Sequence, residues 1–586
     1  MERETVHFAF LNERSLLSII WLGLRRKRVL ILDSAPLFPL FRNLTTWVSR
    51  QLVRFGIAEN PDVRLTPDEL HHSNAWACSW PDMFSRLEKE MEAIFGFDKI
   101  ERLLPEAETI AAKHAACAYL DNTLPKVTRL RYFRDRYRDC ACTVTGLPTD
   151  IHGWYKSYFG DDPDLRVTGT VDPSILLNLF GAFVVFARTV FWALARIRIG
   201  PIDRVAVFLG ADFFMYDRRY LYMLREITDS PDDVLLIFRG KGMQQAAQKD
   251  FRNVRFKQCL RTDGFLKLAD LPIILAGNLI GTIKFLRLGY KLPGLLCFEF
   301  LKLPYHRVVY RALFQRYSFA RIFGRDDYDS QHIIRTDELR RAGGRSIGIN
   351  HGLPMPGNYI GVWRYLDFDL YYVFGMDIYR RFLKSTWSRR MKVKSVGSFG
   401  MNQAQLDRLD KPRPEDIVIF INTMPGYEKI YGWAFDVARH FSDRTVYLKH
   451  KRSNNGKLYA GHSFVFGGDV PGNLVESSES SYDLMLLCRY ALSTPNSTIA
   501  VESIQFGLAT FVWEARDHLA TSYYRDFPGL CVETAEELID RIEAIEDGSA
   551  PYRRERFKDM TCLTGESIFK VIREDIKRMP PLVESR

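Results

Sequence analysis

Apolar residues fall into two rhythms along this chain. Short runs, apolar throughout or at every second position, predict strands, and longer runs with a period between three and four predict helices. Strands are predicted at 6–11 and 29–32 with a helix between them, a βαβ unit whose second strand runs into Asp33-Ser34-Ala35-Pro36. Residues 65–165 read as mostly helical, rich in arginine and aromatic side chains and without a catalytic pattern, so they are expected to form a cap or insertion. Alternation resumes with a strand at 205–209 closing on Gly210-Ala211-Asp212, a helix at 216–227, and a strand at 234–238 that ends in Arg239-Gly240-Lys241-Gly242. Apolar helices at 265–302 interrupt it. Strands at 321–324, 346–350 and 369–374 follow, with a helix at 337–342, and the middle strand leads into His351-Gly352.

Gly397-Ser398-Phe399-Gly400 and Lys411-Pro412-Arg413-Pro414 read as a linker. Beyond it come strands at 417–421, 445–448 and 490–493 and helices at 434–441 and 482–488. Residues 493–513 then read as a strand end, a hydroxyl-rich turn, a short helix, a break at Gly507 and a last apolar strand. This alternation predicts an α/β fold of two doubly wound, largely parallel sheets, whose ligands sit at the carboxyl ends of strands. The expected division is an N-terminal region at 1–200, a lobe at 201–400, a second lobe at 401–560 and a tail at 561–586.

Two runs, 173–187 and 271–283, carry no charge, yet each is shorter than the roughly 20 residues that cross a bilayer. Three readings stand: a buried helix, a spanning helix, or a helix lying on a membrane face between Arg188, Arg196, Arg198, Lys284, Arg287 and Lys291. Length and composition add that the 586 residues make two to four folded domains, with 47% hydrophobic and 26% charged positions. Lys and Arg number 82 against 71 Asp and Glu, a charge of +11 that favours anionic partners. Nine scattered cysteines without a paired C-x-x-C framework favour a reduced cytoplasmic compartment and lend no support to a zinc site. The N-terminus has no signal-peptide pattern.

Candidate chemistry gathers at predicted strand ends. A strand-end His351 serves as a general base or donates to a phosphate, and Gly352 lets backbone approach a ligand; the alternative is an ordinary loop histidine. Lys449, His450 and Lys451 suit a departing diphosphate, or form a solvated basic turn. Asn422 ends the first strand of the second lobe, in a turn near the ligand or in a plain βα loop. Ser497 and Thr498 begin a helix where amides and hydroxyls meet an anion, with Glu502 one turn on for sugar hydroxyls; the alternative is an N-capped helix with an incidental carboxylate. Asp212 and Asp33 are further candidates to orient an acceptor or act as base. No G-x-x-x-x-G-K-[ST], H-E-x-x-H or G-x-S-x-G occurs, and Gly240-Lys241-Gly242 lacks the third glycine of a dinucleotide fingerprint.

On His351-Gly352, Lys449-His450 and Ser497-Thr498 with Glu502 and Gly507, residues 200–545 resemble a two-lobed GT-B glycosyltransferase. The likeness is to bacterial capsule and surface-polysaccharide transferases of the sialyl, Kdo or polyol-phosphate kinds. It implies an acceptor-binding first lobe and a nucleotide-gripping second lobe. His450, Ser497 and Thr498 would then meet donor phosphate, and Glu502 the ribose or base. Lys451 stands where those families often have proline. The expected function is metal-independent transfer of a sugar from a nucleotide-sugar donor to a glycan or lipid-linked acceptor. The enzyme would be peripheral on the inner face of the membrane, with no cofactor and no nucleic-acid partner. Alternatives are a CDP-polyol phosphotransferase on the same fold and a non-catalytic binding or assembly protein.

Overall fold

Strands that are apolar at every position need both faces covered, and this chain supplies that cover twice over with parallel sheets. In the computed structural model the residues described are 4–34, 42–64, 96–171, 175–213, 218–250, 256–325, 329–350, 352, 363–421, 429–450, 470–495, 497–514, 523–563 and 567–579. They divide into two compact units. One comprises Met1–Pro201, Leu266–Val309 and Asp329–Ile334, the other Ile202–Phe265, Tyr310–Tyr328 and Arg335–Arg586.

In the first unit β1 (Thr5–Leu11), β2 (Val29–Ser34), β3 (Ala141–Thr145) and β4 (Leu165–Val167) form a parallel sheet in the order β2-β1-β3-β4. The predicted βαβ start is there, with the helix Leu16–Leu24 as its crossover. The stretch expected to be mostly helical contributes the helices Glu106–Arg136 and Thr149–Phe159, but also β3 and the start of β4. Both strands are short, and the alternation of Ala141-Cys142-Thr143-Val144-Thr145 is too weak to stand out between two long helices.

The apolar insertion also belongs to this unit. Helices α1 (Ile175–Leu194) and α2 (Leu271–Gly289) pack antiparallel. The Asn178 amide near the start of α1 donates to the carbonyls of Tyr290 and Leu292 just past the end of α2, at 2.9 and 3.0 Å. At the other end Ile197–Arg198 pairs with Leu266–Lys267. Their faces are inverted relative to a water-soluble pair. Asn178, Gly181, Ala182 and Thr189 of α1 and Asn278, Thr282 and Gly289 of α2 are buried. Leu176 (77% exposed), Phe183 (66%), Phe191 (72%) and Ile273 (68%) face outward. Only 28% of the apolar stretch of α1 and 22% of that of α2 is buried, so the buried-helix reading does not describe them.

The second unit holds two larger sheets. Strands β5 (Val205–Phe213), β6 (Val234–Phe238), β7 (Lys257–Leu260), β8 (Tyr317–Gly324), β9 (Arg345–Ile349), β10 (Leu370–Val373) and β11 (Lys392–Ser395) run β7-β6-β5-β8-β9-β10-β11. Strands β12 (Ile417–Ile421), β13 (Val446–His450), β14 (Leu474–Glu476), β15 (Tyr490–Ser493), β16 (Ala509–Trp513) and β17 (Cys531–Val532) run β14-β13-β12-β15-β16-β17. All pairs are parallel. Each sheet therefore follows the Rossmann order 3-2-1-4-5-6, with a topological switch beside its first strand. The chain is an α/β protein with two Rossmann-like lobes, as its alternation predicts.

β12 shows why. Ile417, Ile419 and Ile421 enter a core with the helix Lys429–His440, while Val418 and Phe420 enter a second core on the opposite face. The residues expected to be a tail differ. The helix Ile568–Arg578 buries Ile568, Phe569, Ile572 and Ile576 in the core of the first lobe, beside Leu224 and Tyr372. Ile572→Ala should cost about 2–5 kcal/mol by leaving a cavity in that core, measured as a lower urea midpoint of the full-length chain.

Candidate functional site

At the carboxyl end of β5 the strand runs further than the sequence pattern suggests, because Asp212 pairs with both Ile237 and Gly324. Asp212 is fully buried. Arg335 Nη1 donates to its Oδ2 at 2.6 Å, Arg239 Nε lies 3.7 Å from Oδ1, and the Tyr310 hydroxyl is 3.5 Å from Oδ2. Burial alone would raise the carboxyl's pKa, but the Arg335, Arg239 and Arg261 guanidiniums outweigh it and hold the group below its usual range. A carboxylate so held is a weak proton acceptor, and the arrangement suits anchoring better than the base role expected of Asp212.

The carboxyl ends of the two large sheets meet. Gly352, after β9, is close enough to the turn after β15 that a Cβ built on it would lie 3.4 Å from Thr498 Oγ1. Two motifs separated by about 150 residues are thus brought together. Thr498 opens the helix Ile499–Gln505 without capping it through its side chain. Ser497 Oγ accepts from Ile499 N at 3.4 Å, and its carbonyl accepts from the Tyr524 hydroxyl at 3.3 Å. Gly507, with φ +93, ends the helix as expected.

Glu502 takes partners that sequence reasoning missed. Its Oε1 accepts from Ser398 Oγ at 2.5 Å and from the Tyr482 hydroxyl at 3.0 Å. Arg219, from the first lobe, donates to the same hydroxyl at 3.1 Å. Burial first, then the Glu502 carboxylate, push the Tyr482 hydroxyl well above its usual pKa. Gln505 adds a second tie, its Oε1 accepting from Ser398 N at 2.7 Å. Gly400 and Gly397 are the signals in the sequence: a Cβ at Gly400 would fall 2.1 Å from Tyr482 Cζ, and one at Gly397 2.4 Å from Gln505 Oε1.

Lys449 and His450 end β13 on opposite faces of the sheet. The His450 ring stacks on Tyr431 at 5.6 Å, with Nδ1 3.2 Å from the Tyr431 hydroxyl. Lys449 Nζ donates to the Glu479 carbonyl. Alternation along a strand forces this divergence, which the adjacency of the two residues in sequence conceals. Asp33 lies in the other unit, at the end of β2, 3.0 Å from Lys126. His351, Asn422 and Lys451 lie outside the described residues. Among the described residues no cluster of three or more His, Cys, Asp or Glu is arranged to hold a metal ion.

No protein-family model and no curated protein matches the chain. Solved structures similar to it include the glycotransferase of kitacinnamycin, at 12% identity over 65% of this chain and 100% of that one, with a TM-score of 0.37. A UDP-N-acetylglucosamine 2-epimerase is similar at 12% identity over 65% of this chain and all of its own, with a TM-score of 0.35. MurG of Acinetobacter baumannii is similar at 11% identity over 64% of this chain and all of its own, with a TM-score of 0.34.

Asp212→Asn should destabilise the protein by about 3–5 kcal/mol, because it leaves Arg335 buried without its counter-charge. With its native pKa depressed, Asp212 contributes fully above the ordinary value of 3.8 and loses that contribution as pH falls through the lower native value. The gap between native protein and variant in urea midpoint should therefore narrow on acidification below pH 3.8. Glu502→Gln should cost about 1–3 kcal/mol by weakening charge-assisted bonds at a buried site, checked by the same titration.

Proposed function

We propose that this protein is a glycosyltransferase that moves a sugar from a nucleotide-sugar donor to a surface-polysaccharide or glycolipid acceptor, without a metal, at the cytoplasmic face of a membrane. The observation that carries the reading is the meeting of two Rossmann-like lobes at their strand ends, with Gly352 against Thr498. Open α/β sheets bind ligands at those ends, so two sheets facing one another suit a donor and an acceptor at a shared site. The second lobe would hold the donor, with Lys449, Ser497 and Thr498 around its diphosphate and His450 behind them on Tyr431. Cationic side chains and backbone amides would stabilise the departing phosphate, which is the charge a metal would otherwise meet. His351 would take the acceptor proton.

The inverted helix pair supports a lipid-facing location. Asn178, Thr189, Asn278 and Thr282 turned inward beside Val185, Ile274 and Phe285, with many large apolar side chains turned outward, is a pattern of helices whose solvent is lipid. Connectivity favours lying on the surface over spanning it. β5–β7 precede α2 and β8 follows the helix Gly294–Arg316, yet all four strands share one sheet. A spanning α2 would oblige Gly294–Arg316 to cross as well, with Glu299, Lys302, Arg307 and Arg311 aboard.

A panel of nucleotide sugars should contain one that raises the melting temperature, since a ligand binding only the native state stabilises it. Lys449→Ala should weaken that ligand, while His351→Ala should spare its binding and lower turnover. No stabilisation by any UDP, CDP, CMP or GDP sugar would sink the reading. The full-length protein should sediment with anionic vesicles, and Phe183→Glu with Ile273→Glu should abolish this; co-sedimentation unchanged by the pair would remove the helices from the interface.

A further inference from the structure

The helix Leu16–Leu24, which crosses over between β1 and β2, carries no charged residue at any position. In water a helix apolar on every side belongs inside a core, yet this one lies at the surface of the first unit. Its inner side is accounted for. Ile19 enters a core with Ala9, Leu11, Val29 and Ile31 of β1 and β2, and Leu16, Ile20 and Leu22 pack at the edge of that core. The helix Arg42–Arg54 fills the same core from alongside, through Leu52, Val48 and Val53. The two helices come close where a Cβ built on Gly23 would fall 2.2 Å from the Ile57 carbonyl oxygen.

Their outer sides have no such cover. Leu17, Trp21 and Leu24, at i, i+4 and i+7, are each more than half exposed. So are Leu44, Trp47 and Phe55, at i, i+3 and i+11, on and just after the second helix. Both helices lie over the same face of the sheet, so these large apolar side chains stand on the outside of one helical layer. Exposed cations border them: Arg14 before the first helix, Arg25, Arg26 and Lys27 after it, and Arg50 and Arg54 on the second. The Arg25 guanidinium lies over the Trp21 ring, 3.9 Å from its centroid. Arg28 is turned to Glu4 and Glu59, at 3.8 and 3.7 Å, whereas the bordering cations form no ion pair among the described residues. Glu13 is the one exposed acid in the described residues from 13 to 58.

A second copy of the chain is a poor occupant of this surface, because it would set the same collar of cations against itself. An anionic bilayer suits both halves of the pattern. Leucine, phenylalanine and tryptophan side chains enter the headgroup boundary, and arginine and lysine reach the lipid phosphates beside them. We propose that the helices Leu16–Leu24 and Arg42–Arg54 form a second membrane-binding surface, specific for anionic lipid, that acts together with the α1–α2 pair of the same unit. One interfacial anchor holds marginally and two linked anchors hold far more tightly, so loss of either releases the protein. The proposal rests on the membrane-face reading for its setting and takes nothing from glycosyl transfer.

The test is photolabelling of the full-length protein by a phosphatidylcholine that carries a diazirine in its acyl chain, mapped by mass spectrometry. In vesicles of phosphatidylcholine with phosphatidylglycerol, label should fall within 14–27 and 42–55, and in vesicles of phosphatidylcholine alone it should be lost there. Label confined to 175–194 and 271–289 overturns this surface and leaves the α1–α2 pair in place. Label at 14–27 and 42–55 without the pair upholds this surface and removes the pair. A dimer in solution that Trp21→Glu with Trp47→Glu dissolves, with no lipid label at either helix, assigns the surface to a second copy and overturns the proposal. Arg25→Gln with Arg26→Gln and Lys27→Gln should weaken binding to the anionic vesicles by roughly tenfold or more. Binding within about twofold of the native protein would overturn the anionic preference. Should a variant not fold, the labelling pattern of the native chain decides alone.

Discussion

Two sheets whose strand ends meet must be held at a fixed distance, and here a single carboxylate ties their lobes together. Glu502 sits on a seven-residue helix of the second lobe and accepts from Ser398, on the segment leaving the first lobe. Through Tyr482 it also reaches Arg219, on a helix that follows the first strand of the first lobe. A buried chain of cation, hydroxyl and carboxylate is strong only when every member is present, because each is costly to bury alone. The strand ends that face each other, at Gly352 and Thr498, depend on that chain for their spacing.

Much of this architecture was legible in the spacing of apolar residues. The strands at 234–238, 417–421 and 490–493 are found where the pattern puts them, because a strand buried on both faces must be apolar at every position. β7, β11 and β14 escaped for the complementary reason. They lie at or near sheet edges, carry Lys257, Lys392, Lys394 and Glu476, and have no apolar rhythm to detect. The terminal helix was hidden differently. Its apolar positions 568, 569, 572 and 576 mark one face, but no local signal says which distant core that face will join.

The site was legible as a set of strand ends and illegible as a set of contacts. That Gly352 and Thr498 belong together follows from sheet topology, which the alternation foreshadows. That Lys449 and His450 diverge follows from strand geometry, once the strand is known to extend through both. The sequence marks Asp212 as a carboxylate at a strand end and Glu502 as one a helical turn past Thr498. Their partners leave no local trace: Ser398 is 104 residues from Glu502, Arg335 is 123 from Asp212, and Arg219 is 263 from the Tyr482 through which it acts. The inverted faces of α1 and α2 are a further instance. Composition marks both helices as apolar, but only packing reveals which side is turned outward.

The helix Ile568–Arg578 has a consequence for how the molecule comes into being. The first lobe begins at Val205 and is completed only by a helix that follows the second lobe, so the second lobe is, in effect, inserted within it. On the ribosome, where residues emerge in order, all the strands of the second lobe are available before the first lobe's last core side chains exist. The nascent first lobe must wait with part of its apolar surface uncovered for the length of the second lobe's synthesis. Its final closure is thus a late, long-range event that follows the synthesis of the second lobe.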